Sequence, residues 1–144
     1  MQLTEWKFSQ NTSNGEKVDI EDTEWEIKKS PLYWSLKDGE AFFRKWIEIP
    51  EEIEGIEVKG SRIELSFIFP SGVTLFVNGE KVYSHKFWGD KVATLFLPKE
   101  KAIPGEKILI VFKTPSGDGF GTFWAELNIE NILFQLNSLP DKIC

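Results

Sequence analysis

Two runs of β-forming residues, Val73-Thr74-Leu75-Phe76-Val77 and Glu80-Lys81-Val82-Tyr83, are separated by Asn78-Gly79 alone. A two-residue connection between antiparallel strands needs positive φ at both positions, which Asn and Gly tolerate, so this segment predicts a type I′ hairpin. The flanking sequence keeps the same period of two. In Arg62 to Phe69, Ile63, Leu65, Phe67 and Phe69 fall on one face while Arg62, Glu64 and Ser66 fall on the other, the pattern of a half-buried strand. Phe42 to Ile49 sets Phe43, Ile47 and Ile49 against Arg44 and Glu48, and stops at Pro50. Leu3 to Ser9, Trp25 to Lys28, Lys91 to Leu97, Lys107 to Lys113 and Phe120 to Phe134 supply further strands, with Gly-, Pro- and Asn-bearing turns between them. A helical period persists for no more than one turn, expected at Pro50-Glu51-Glu52-Ile53-Glu54 before Gly55. About eight or nine short strands in this order predict an all-β fold, an antiparallel two-sheet sandwich of the jelly-roll type.

The 144 residues suit a single domain. We expect the sandwich to occupy residues 1–136, with Asn137 to Cys144 beginning a linker to a downstream domain. Six Trp and twelve Phe make a core possible without covalent staples, since each ring buries ~150–250 Å² at about 25 cal/mol per Å². None is available, because the one cysteine, Cys144, is the last residue, so neither an internal disulfide nor a cysteine metal cluster can form. With no signal-peptide pattern at Met1 to Gln10 and no apolar run of spanning length, a cytoplasmic protein is expected, without a membrane partner. The net charge of −6, with Glu and Lys interspersed and only Arg44 and Arg62 as arginines, argues against a phosphate-tracking surface and hence against nucleic acid. The Lys/Glu-rich composition matches that of heat-adapted proteins. Asn11-Thr12-Ser13 reads as a polar loop.

Catalytic chemistry finds little purchase. The only histidine, His85, has no recognisable nucleophile motif to serve, and a zinc site would need more His or Cys than the chain has. Asp118, in a glycine-rich loop, reads as a turn residue rather than a calcium ligand. Glu48, Glu64 and Glu126 are the strand-borne acids that glycoside hydrolysis could pair, yet each sits where a polar-out strand places a solvated charge. No catalytic residue, metal or cofactor is therefore assigned to this chain. The aromatic side chains remain, because sugar rings present C–H faces that pack on Trp while their hydroxyls take hydrogen bonds. Trp34 and Trp88 fall in loop-like sequence, and with His85 they form the candidate carbohydrate-binding set; Trp6, Trp25, Trp46 and Trp124 read as strand residues.

Three segments carry a family resemblance: Phe42-Phe43-Arg44-Lys45-Trp46-Ile47-Glu48-Ile49-Pro50, the strand from Ile63 to Phe69, and Val73 to Glu80 with its Asn-Gly. Together they resemble the galactose-binding-like sandwich of glycoside hydrolases. Ile49 to Gly55 and Pro104-Gly105-Glu106-Lys107-Ile108 are most similar to the N-terminal domain of bacterial and archaeal α-mannosidases, although β-galactosidase and β-glucuronidase relatives share the order of features. The resemblance covers Phe42 to Phe112. It implies a non-catalytic N-terminal accessory module whose partner is the catalytic domain of the same polypeptide, with carbohydrate as a further ligand. The zinc and the nucleophile would lie in that catalytic domain. The alternative is a stand-alone carbohydrate-binding module.

Overall fold

The period-two pattern becomes a two-layer core. The computed structural model describes residues 1–29, 32–69, 72–85, 93–97 and 103–129. Among them are twelve strands: β1 (Glu5–Gln10), β2 (Glu26–Lys29), β3 (Leu32–Ser35), β4 (Ala41–Glu48), β5 (Glu52–Ile53), β6 (Ile56–Glu57), β7 (Ile63–Ile68), β8 (Val73–Val77), β9 (Glu80–His85), β10 (Ala93–Phe96), β11 (Lys107–Thr114) and β12 (Phe120–Ile129). The one helical element among the described residues is a 3₁₀ turn at Leu36–Asp38. No helix among the described residues is long and apolar enough to cross a membrane.

All pairings are antiparallel, in a six-stranded sheet ordered β2-β1-β4-β11-β8-β9 facing a four-stranded sheet ordered β10-β7-β12-β3. The expected all-β sandwich is therefore the fold found. Its inner faces meet in aromatic contacts: Phe43 lies 4.6 Å from Phe123 and 4.7 Å from Trp34, and Phe69 stacks on Phe123 at 4.5 Å. Phe112, Phe67 and Trp6 close the cluster from β11, β7 and β1. Each fully buried side chain of this size stabilises the fold by about 1.5–3 kcal/mol.

The hairpin forms as the sequence requires: Asn78 and Gly79 take φ of 51° and 85°. Asn78 is also tied sideways, its Oδ1 accepting from the Leu109 N–H at 2.9 Å. Two expectations need correction. Pro50 to Glu54 does not form a helical turn. Glu54 and Gly55 adopt φ of 51° and 81°, a pair of left-handed residues that turns the chain back into the β5–β6 ribbon. The strand count also exceeds eight or nine, because this ribbon and the four-residue β3 are too short for alternation to reveal.

The outer face of the six-stranded sheet is partly closed as well. Residues 11–25, between β1 and β2, pass over it: Gly15 lies against Phe42, and Trp25, with Phe76, packs on the buried cluster of Phe42, Leu109 and Val111. Arg44, buried among them, holds this strap down. Its Nη1 donates to the carbonyls of Gly15 at 2.7 Å and Lys17 at 2.8 Å, and its Nε donates to Asp22 Oδ2 at 3.0 Å. The guanidinium also stands 5.6 Å from the Trp25 ring. A buried arginine is tolerated here because its donors meet a carboxylate and two backbone acceptors.

Candidate functional site

Trp34, read as a loop residue from its charged surroundings, lies instead on β3 with its indole inside the sandwich, 4% exposed. Phe43, Phe69 and Phe123 surround the ring, which also fills the space where a Gly121 side chain would be. No ring face is left for a sugar, so this member of the candidate set is a core residue. Trp88 lies outside the described residues, as do Cys144 and the expected linker.

His85 ends β9, half-buried, with its ring edge-on to Tyr83 at 5.8 Å. It borders a groove of about 410 Å³ with Glu40, Thr74, Ser84 and Lys113. Thr74 and Ser84 hydroxyls pair at 3.2 Å, and Lys113 faces Glu40 at 3.6 Å. No nucleophile or carboxylate is hydrogen-bonded to the imidazole among the described residues, so the parts of a triad are not assembled there.

Glu64 and Glu126 do come together, lining a cleft of about 340 Å³ with Ile53, Ile56 and Asn128, while Glu48 lies on the other sheet. Glu126 is occupied: Oε2 accepts from Gln2 Nε2 at 2.9 Å and Oε1 from Asn128 Nδ2 at 2.7 Å. A carboxylate anchored at both oxygens is poorly placed to hand a proton to a glycosidic oxygen. Among the described residues, no three His, Cys, Asp or Glu side chains gather to hold a metal ion; Asp118 stands in an exposed loop.

Two surfaces that the sequence did not single out are open and aromatic. On the outer face of the four-stranded sheet, Phe120 is 78% and Tyr33 59% exposed. The register puts Tyr33 opposite Thr122, between Phe120 and Trp124, with Ile68 opposite Trp124, so these side chains form one strip. On the six-stranded sheet, beyond the end of the strap, Trp46 is 46% exposed. It borders a cleft of about 200 Å³ toward Glu5, Lys7 and Ile27, and another of about 550 Å³ toward Glu48 and Lys107. The signal for both was parity. Trp46 shares its face with Arg44 and Glu48, and Trp124 shares its face with Glu126, so an indole is placed where alternation puts polar groups.

No protein-family model and no curated protein matches the sequence. Solved structures do match. A family 2 glycosyl hydrolase from Bacteroides cellulosilyticus superposes with a TM-score of 0.71 and 19% identity over 89% of this chain. A β-glucuronidase from Bacteroides uniformis gives 0.64 and 18% over 87%, and another β-glucuronidase of glycoside hydrolase family 2 gives 0.65 and 18% over 81%. The chain shares its fold with a segment of these enzymes. It spans only 20%, 17% and 14% of their respective lengths.

Proposed function

We propose that this chain is a non-catalytic accessory module of a glycoside hydrolase, packed against the catalytic domain of the same polypeptide. The observation that carries the reading is the coverage: 81% to 89% of this chain superposes on a fifth or less of each of three glycoside hydrolases. The strip of Phe120, Tyr33, Trp124 and Ile68 is the face we assign to docking, since exposed rings of this kind are enriched where surfaces are meant to be covered. Expressed as a separate polypeptide, the chain should co-elute with the parent's catalytic region. Phe120→Asp combined with Tyr33→Asp should separate the two while leaving the far-UV circular dichroism of the chain unchanged. Co-elution that survives both substitutions removes this face from the reading, and a parent gene with no catalytic region removes the module.

The finer reading is an α-mannosidase-type parent. It is supported by the Phe42-to-Pro50 strand and the Pro104-Gly105-Glu106 turn, with zinc confined to the catalytic domain. Turnover of an aryl mannoside by the full-length parent checks it; turnover of an aryl glucuronide instead would align the parent with the β-glucuronidases of similar fold. A free carbohydrate-binding module built on Trp34 and Trp88 is disfavoured by the burial of Trp34.

A further inference from the structure

Four of the tryptophans can be compared with one another. Trp6 donates Nε1 to the Leu3 carbonyl at 2.9 Å inside the core, Trp124 donates Nε1 to Gln2 Oε1 at 3.0 Å, and Trp34 is enclosed by phenylalanines. Trp46 stands apart. It projects from the outer face of β4 and is 46% exposed, whereas Trp34, whose Nε1 also lacks an acceptor among the described residues, is buried. The strap that covers Phe42 and Arg44 stops short of it, because Arg44 gathers residues 15, 17 and 22 over the other half of the strand. The indole is therefore left with open clefts toward β1–β2 and toward β11.

We propose that Trp46 is the stacking residue of a binding site for a neutral pyranoside, a ligand class that rests on the glycoside-hydrolase reading above. A pyranose offers an apolar C–H face to an aromatic ring and a rim of hydroxyls that both donate and accept hydrogen bonds. The Trp46 surroundings supply each component. Ile27, half-exposed, is a second apolar wall. Lys7 and Lys107 are donors, and Glu5 and Glu48 are acceptors. Two nearby cations are already engaged, Arg44 with Asp22 at 3.0 Å and Lys45 with the Glu5 carbonyl at 2.9 Å. Glu5 also lies 3.9 Å from Lys29 in a loose, exposed pair. Across the two clefts Lys7, Arg44, Lys45 and Lys107 stand against Glu5, Asp22 and Glu48, a near balance of charge that suits a neutral polyol. A uronate or a sugar phosphate would bring its charge beside Glu5 and Glu48 with no cluster of cations directed at one point to receive it.

Calorimetric titration of the 144-residue chain with methyl α-D-mannopyranoside, methyl β-D-galactopyranoside and methyl β-D-glucuronide tests the site. At least one neutral glycoside should bind with a Kd on the order of 1–10 mM, and Trp46→Ala should weaken it at least about tenfold. The circular dichroism of the chain should be unaffected, since the ring is already half in water. Trp46→Phe should recover part of the affinity, and Phe96→Ala, an exposed ring on the edge strand of the opposite sheet, should leave it unchanged. Neutral-sugar binding indifferent to Trp46→Ala, preference for the glucuronide, or no heat from any of the three overturns the proposal. A chain that binds no sugar yet co-elutes with its catalytic region loses this site and keeps the module reading. One that binds through Trp46 but has no catalytic partner does the reverse.

Discussion

Phe42 and Phe43 are consecutive residues in separate cores. Phe43 faces inward into a cluster to which both sheets contribute, where rings from β1, β3, β4, β7, β11 and β12 lock one another in place. Phe42 faces outward beneath a loop, in a cluster of three buried side chains whose lid is held by one arginine. The inner core is covered by secondary structure and needs no polar group. The outer core has sheet on one side only, so its lid has backbone carbonyls that must be satisfied, and Arg44 satisfies two of them. The difference predicts two grades of burial: one inseparable from global folding, the other able to open while the sandwich persists.

The comparison can be broken experimentally. Phe123→Ala removes the ring touched by Trp6, Trp34, Phe43, Phe69 and Phe112, and should cost about 4 kcal/mol in denaturant unfolding. Arg44→Met keeps an apolar stem beside Trp25 but strands the Gly15 and Lys17 carbonyls, at a cost of about 3 kcal/mol. Its signature should be local, with amide-exchange protection lost across residues 11–25 before β7 and β12. Uniform loss across both sheets would make the two cores one cooperative unit. The matched pair Gly121→Ala and Gly15→Ala sharpens the contrast, because either added methyl collides with a buried ring, Trp34 or Phe42. Overpacking against the locked Trp34 should cost about 2–3 kcal/mol, while the strap can lift from Phe42 for about 1 kcal/mol. Equal losses in thermal unfolding would count against a strap that yields.

Much of the inner core could be read from the sequence because alternation is a local code. Ile63, Leu65 and Phe67 announce their face without reference to anything distant, and Asn78-Gly79 specifies its turn by dihedral preference alone. What escaped is long-range. Trp34 sits between a Ser30-Pro31 break and the Leu36-Lys37-Asp38-Gly39 turn, and only its pairing with Gly121 across β12 makes it a strand residue. The covering of Phe42 depends on where residues 11–25 cross the sheet, which no period records. Trp46 was the converse case. Its parity with Arg44 and Glu48 already placed it on the polar face, but a tryptophan invites assignment to the core.

Because both faces of β4 are enclosed from Phe42 to Arg44, that half of the strand tolerates no change of phase. Inserting one residue ahead of Phe42 would turn Arg44 toward the phenylalanine cluster and bring Phe43 up against Gly15, exchanging the contents of two incompatible compartments. The strap thus works as a register lock as well as a lid. Insertions and deletions should be absorbed in residues 36–40 or in the Ile103–Glu106 turn, and an alignment of any relative that gaps β4 itself would describe a differently built sheet.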